Sequence, residues 1–172
     1  MLKKDLINLK LFSNIDLNII RFETEEAKWA WLAGIVDGEG TFTVNSRNGN
    51  AVIQMRVSNK SEELLRFITY KFGGGYHRTE YKNGPHKGRT IFCYQISGRK
   101  LLPIIRKIRP YLIAKAKEAD LVLEAFRNWY NPQRLKEIHD ELRKLHPHKS
   151  RAGDKGVLAR ERYKRERQQC RT

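Results

Sequence analysis

The sequence predicts an α+β fold, a four-stranded antiparallel sheet with helices packed on one face and the other face open. Three observations lead there. The apolar pattern is helix-like up to about Asp37 and alternates every second residue from Thr41 onward. Two hairpin patterns follow, around 41–58 and 76–97, with a helix-like segment between them. Each hairpin is apolar on one side and polar on the other, which suits a sheet covered on one face only.

Residues 1–23 form an extension whose apolar residues (Leu6, Leu9, Ile15, Leu17, Ile19, Ile20) follow no single period; it is expected to fold against the main body. Thr24 opens the first helix. Its hydroxyl suits an N-cap, and Glu25 and Glu26 put negative charge in the first turn, where the helix dipole favours it. The helix is expected to run to about Asp37 and to be stopped by Gly38 and Gly40. Ala30, Gly34 and Gly38 recur at every fourth position, so they line one side as a bare stripe where a second helix can approach. Glu39 follows directly, between two glycines.

In the first hairpin Phe42 and Val44, then Ile53, Met55 and Val57, alternate with polar residues around a turn at Arg47-Asn48-Gly49-Asn50. Ser61 caps a second helix, which ends at Gly73-Gly74-Gly75. The second hairpin rises from Tyr76 to Tyr81, turns through 82–88, and returns with Phe92, Tyr94 and Ile96 on one side. Arg99 to Ile108 reads as a helix with Pro103 near its start. Pro110 breaks the chain before a long amphipathic helix through Leu121, Val122, Ala125, Phe126 and Trp129, and Pro132 restarts a last one. The chain thus divides into the extension 1–23, a core at 24–145 and a basic linker and tail at 146–172. The open sheet face is expected to carry Thr43, Asn45, Arg47, Gln54, Arg56, Arg78, Lys82 and Gln95, a set suited to base edges and phosphates.

Charge points to the same kind of partner. Thirty-five Lys and Arg stand against 19 Asp and Glu, a net charge of +16. A compact chain this far from neutrality repels itself unless a polyanion relieves it, so nucleic acid is the first candidate. No apolar run is long enough to span a bilayer, and the N-terminus lacks a secretory pattern. With two cysteines in no metal-ligand spacing, an intracellular, reduced location is expected. His146-Pro147-His148 has no accompanying Cys pair or carboxylate cluster for a zinc site, and the triple glycine lacks the Gly-Lys-Ser/Thr ending of a phosphate loop. The basic tail from Lys149 to Arg171 is expected to contact phosphates without reading sequence.

The stretch Leu32-Ala33-Gly34-Ile35-Val36-Asp37-Gly38-Glu39-Gly40 resembles the LAGLIDADG motif. The αββαββα order over about 24–145 matches that of LAGLIDADG homing endonucleases, as does Arg109-Pro110-Tyr111-Leu112 followed by lysines. The resemblance implies site-specific cleavage of double-stranded DNA by metal-dependent phosphodiester hydrolysis, leaving 3′ overhangs. Its cofactor would be Mg²⁺, with Mn²⁺ substituting and Ca²⁺ expected to support binding without cleavage. One motif implies a homodimer on a pseudo-palindromic target, joined through Ala30, Gly34 and Gly38.

By position, Glu39 would be the metal-ligating acid and the Gly38 carbonyl a second ligand, with Asp37 at the helix end in a capping role. Asn59 would order water near the scissile phosphate. Lys115 would stabilise charge there, with Lys117 its nearest competitor and otherwise a DNA contact, as Ser58 would be. A reading frame with its own Met1 favours an intron origin. Two alternatives differ in kind: an RNA maturase acting on the host intron RNA, and a DNA-binding regulator that kept the fold without cleavage.

Overall fold

The computed structural model describes residues 21–47, 50–81 and 88–145; Lys82, the linker histidines and the basic tail lie outside these. Helix α1 (Glu25–Glu39) begins where Thr24 Oγ1 accepts the Ala27 N–H at 3.0 Å. It continues two residues beyond the expected stop. Gly38 and Glu39 are still helical, and the turn closes when the Gly40 N–H donates to the Val36 carbonyl. Strands β1 (Gly40–Arg47) and β2 (Asn50–Asn59) form the first hairpin, with Gly40 opposite Val57 and Arg47 opposite Asn50.

Ser61 caps α2 (Glu62–Phe72) by accepting the Leu64 N–H at 3.2 Å. Strands β3 (Gly75–Glu80) and β4 (Thr90–Ser97) complete one antiparallel sheet in the order β1-β2-β4-β3. A 3₁₀ turn leads into α3 (Leu101–Ile108), and a second one over 109–111 leads towards α4 (Ala116–Arg127). Asn131 caps α5 (Pro132–Lys144) with Pro132 in its first turn, where a missing N–H costs nothing.

All helices pack on one side of the sheet. Leu32, Val36, Ile53, Met55, Val57, Tyr94, Ile105, Val122 and Ile138 are fully buried between the layers. Arg134 on α5 holds Glu124 on α4 at 2.7 Å as well as Glu137 and Glu141 on its own helix, and His139 Nδ1 lies 2.8 Å from the Val44 carbonyl. These contacts fasten α5 to both α4 and the β1 edge. From the N-terminal side, Phe22 meets Trp31 and Phe67, with ring centroids 5.6 and 6.1 Å apart.

The turn between α2 and β3 depends on glycine. Gly73 and Gly74 have φ of +74° and +87°, and a Cβ at Gly74 would come 2.8 Å from the Gln95 carbonyl and 2.9 Å from Tyr94 Cε2. Gly74→Ala is therefore expected to destabilise the chain by roughly 2–3 kcal/mol, from left-handed backbone strain and overpacking combined. Urea denaturation checks it: an unchanged midpoint would mean that the turn readily adopts another path.

Candidate active site and nucleic-acid interface

The carboxyl end of α1 is clamped to the segment leading into α4. Both oxygens of Asp37 accept backbone N–H groups: Oδ2 from Ile113 at 2.7 Å and Ala114 at 3.2 Å, Oδ1 from Lys115 at 2.9 Å. Lys115 answers by donating from Nζ to the Asp37 carbonyl. Burial works to raise the Asp37 carboxyl, but the three N–H donors and the Lys115 charge outweigh it, and the group titrates below its ordinary value. Asp37 thus has a capping role 76 to 78 residues away in sequence. The two lysines are also told apart. Lys115 is half-buried against the motif, whereas Lys117 is exposed and lines a groove between α4 and α5 with Asp120, Glu124 and Glu141.

Glu39 follows at the last helical position, exposed and making no hydrogen bond or ion pair among the described residues. Gly40 is needed beside it, because a Cβ there would come 2.8 Å from Val36 Cγ1. Gly40 stands opposite Val57, so Ser58 and Asn59 lie at the same end of the sheet as Glu39. Asn59 Oδ1 accepts the Ser61 N–H at 2.9 Å, a local turn into α2, and this leaves its amide nitrogen for other contacts. The described residues hold no cluster of three metal-ligating side chains. The oxygen-only donors here, a single free carboxylate and the carbonyls of a helix's last turn, fit a hard divalent cation that takes its remaining ligands from water, substrate or a second chain.

Ala30, Gly34 and Gly38 are all exposed, and a Cβ at either glycine would meet nothing within 4 Å. The bare stripe therefore packs against none of the described residues. Beside it Ile113, tied to Asp37 through its N–H, is 89% exposed.

The open sheet face is mainly polar, with Val52, Ile91 and Cys93 as its apolar members. Thr43 and Asn45 on β1, Gln54, Arg56 and Ser58 on β2, and Gln95 on β4 share it, as strand alternation and register require. Arg56 bridges β2 and β4 by donating from Nε to Gln95 Oε1 at 3.0 Å and from Nη2 to Gln54 Oε1 at 3.4 Å. Arg47 ends β1 on the same register.

Arg78 corrects the expectation. It pairs with Phe92 and shares the helix-covered side with Tyr76, whose hydroxyl bonds Arg66 and Glu62 on α2. Its guanidinium donates to Thr90 Oγ1 at 3.4 Å on that same side. The β3 residues that do reach the open face are His77 and Thr79, which alternation from Tyr76 would have found.

Residues 26–108 match the family profile described as the LAGLIDADG-like domain. Over 44 residues the chain is 46% identical to the intron-encoded RNA maturase bI4 of Saccharomyces cerevisiae, a stretch that is 26% of this chain and 7% of that relative. The chain thus spans a small part of the curated relative it matches. The backbone resembles that of the homing endonuclease I-CvuI in complex with its target in the presence of 2 mM Ca. That match has 25% identity and a TM-score of 0.56 and covers 70% of this chain and 82% of the other. A second I-CvuI complex, on the I-CreI target in 2 mM Mg with the DNA not cleaved, matches at 25% identity and a TM-score of 0.53, covering 69% and 81% of the two chains. Residues 26–108 thus form a LAGLIDADG-like domain with one copy of the motif, and the backbone around it resembles that of a homing endonuclease.

Proposed function

We propose that this chain is an intron-encoded, site-specific endonuclease that cuts double-stranded DNA as a homodimer. The observation that carries the reading is the Asp37 clamp. It holds an ammonium group, Lys115 Nζ, against the same helix end that presents Glu39. Two such ends, brought together by the outward stripe of Ala30, Gly34 and Gly38, place two carboxylates and two lysines at a dyad, one pair for each strand. The open sheet faces then flank this centre, with Thr43, Asn45, Gln54, Arg56, Ser58 and Gln95 directed at the major groove, and Arg47 is a further DNA contact from the end of β1. Lys117, farther along α4, and the basic tail add backbone contacts that carry no sequence information.

Glu39 and the Gly38 carbonyl would hold the divalent ion, Mg²⁺ with Mn²⁺ substituting, which supplies Lewis acidity at the phosphoryl oxygen. Asn59 positions water through its amide nitrogen, and Lys115 stabilises negative charge as the 3′ oxygen leaves. Ca²⁺ supports binding without turnover. The products are ends with 3′ overhangs from a pseudo-palindromic site, as two-fold symmetry of the protein requires.

The test is cleavage of a plasmid carrying the intronless target. Mg²⁺-dependent linearisation is expected, and tight binding without nicking would refute the nuclease. A second reading, an RNA maturase acting on the host intron, is favoured by the 46% identity to the bI4 maturase over 44 residues. Splicing of the precursor RNA by the purified chain would support it.

Dimerisation has its own prediction. Gly34→Leu puts a branched side chain on a surface where an added Cβ meets none of the described residues, and it exchanges the poorest helix former after proline for a good one. Native mass measurement is expected to shift from dimer to monomer while helix content holds or rises. A dimer retained by Gly34→Leu would place the interface elsewhere.

A further inference from the structure

We infer that Arg56, held in place by Gln95, reads guanine in preference to adenine at one position of each half-site. This rests on the reading of the open face as the DNA surface. Arg56 stands mid-face, with Thr41 opposite on β1 and Gln95 opposite on β4. Beyond Gln95 the next residue across is Gly75, so no side chain from β3 crowds the pair.

The hydrogen bonds fix what this pair can offer a base. Arginine has five N–H donors; Arg56 spends one on Gln95 at 3.0 Å and one on Gln54 at 3.4 Å, leaving three. The bond to Gln95 holds the guanidinium in place, so less side-chain freedom is lost on binding. Guanine presents two acceptors, O6 and N7, in the major groove and matches a guanidinium fork.

Adenine presents one acceptor and one donor, and a glutamine reads it by using its amide nitrogen and oxygen together. Here the Gln95 oxygen is turned to Arg56, which fills one of its two lone pairs, and the Gln54 oxygen is engaged more loosely, so the pose that lays an amide's nitrogen and oxygen together along an adenine edge is disfavoured. Both amides are left with N–H groups to present. A cytosine edge, which donates, finds no carboxylate either: none of the residues of known placement on this face is acidic.

The experiment is selection of binding sites from a degenerate duplex DNA library with the full chain at fixed salt. It is repeated with Arg56→Ala and Arg56→Lys, both changes at an exposed position. The native chain is expected to enrich one invariant guanine in each half-site. Arg56→Ala should lower that preference by about five- to a hundredfold and admit adenine there, because the Gln95 oxygen is released. Arg56→Lys keeps the charge without the fork, so overall affinity and salt dependence hold while the guanine preference falls.

A guanine equally preferred by the native chain and Arg56→Ala would overturn the inference, as would adenine accepted by the native chain at every enriched position. A library from which no duplex is enriched would refute the DNA reading itself, and this inference with it.

Discussion

Glu39→Gln is expected to bind its duplex target at least as tightly as the native chain and to cleave it on the order of a thousandfold more slowly. The two halves of the result have separate causes. Glu39 is exposed at the last position of α1 and bonds no described residue, so an amide of the same size disturbs neither the helix nor the sheet. Removing its charge also removes a repulsion from phosphate, which favours binding if anything. Cleavage needs the charge itself. A neutral amide is a far weaker ligand for a hard cation, and no other carboxylate in its own chain joins it to form a metal cluster among the described residues.

A thousandfold loss corresponds to about 4 kcal/mol of transition-state stabilisation, within the several kcal/mol a Lewis acid supplies. Binding measured with the divalent ion chelated and cleavage measured in Mg²⁺ separate the two effects. Cleavage by Glu39→Gln within tenfold of the native rate would remove Glu39 from the chemistry, and weakened binding in the absence of divalent ion would make it a DNA contact.

Which parts of this site were legible in the sequence follows from how local their causes are. Thr24 and Ser61 cap their helices by bonds three residues long, and those were readable as residue types. The faces of β1, β2 and β4 were readable because several apolar residues on each strand mark the buried side. Strand β3 has only Tyr76 to set its alternation, and the positive charge of Arg78 pointed to the wrong face.

The end of α1 misled for a different reason. Glycine is a poor helix residue by about 1 kcal/mol, so Gly38 reads as a stop. The helix continues because its last turn is held from outside: Asp37 by three N–H groups and its carbonyl by Lys115. A bond between residue 37 and residues 113–115 leaves no periodic trace, although the motif's earlier acid and the lysines after Pro110 could each be seen. The choice between Lys115 and Lys117 was open for the same reason. Two residues at the start of α4 decide which lysine turns back to the motif.

That choice sets the second large effect. Lys115→Met is expected to lower cleavage about a hundredfold or more, the usual cost of losing one electrostatic stabiliser of the transition state, while Lys117→Met stays within about threefold. Lys115 reaches the carbonyl adjoining Gly38 and Glu39, and Lys117 faces the groove beside Asp120 and Glu141. Asp37→Ala should reproduce much of the Lys115→Met loss with both Glu39 and Lys115 intact, because it frees the segment that carries the lysine. It also strips three N–H groups of a charged acceptor, so a stability loss of about 2–3 kcal/mol accompanies it, whereas Lys115→Met costs less.

The pH dependence separates the two variants further. A carboxyl whose folded pKa lies below its ordinary value of 3.8 contributes its full stability above that value and loses it as pH falls towards the folded pKa. The native chain should therefore lose stability below about pH 4 more steeply than Asp37→Asn, which has no proton to take up there. Parallel acid denaturation curves for the two would show that the Asp37 charge does not hold the clamp. Equal cleavage losses for Lys115→Met and Lys117→Met would show that position against the motif does not choose the working lysine.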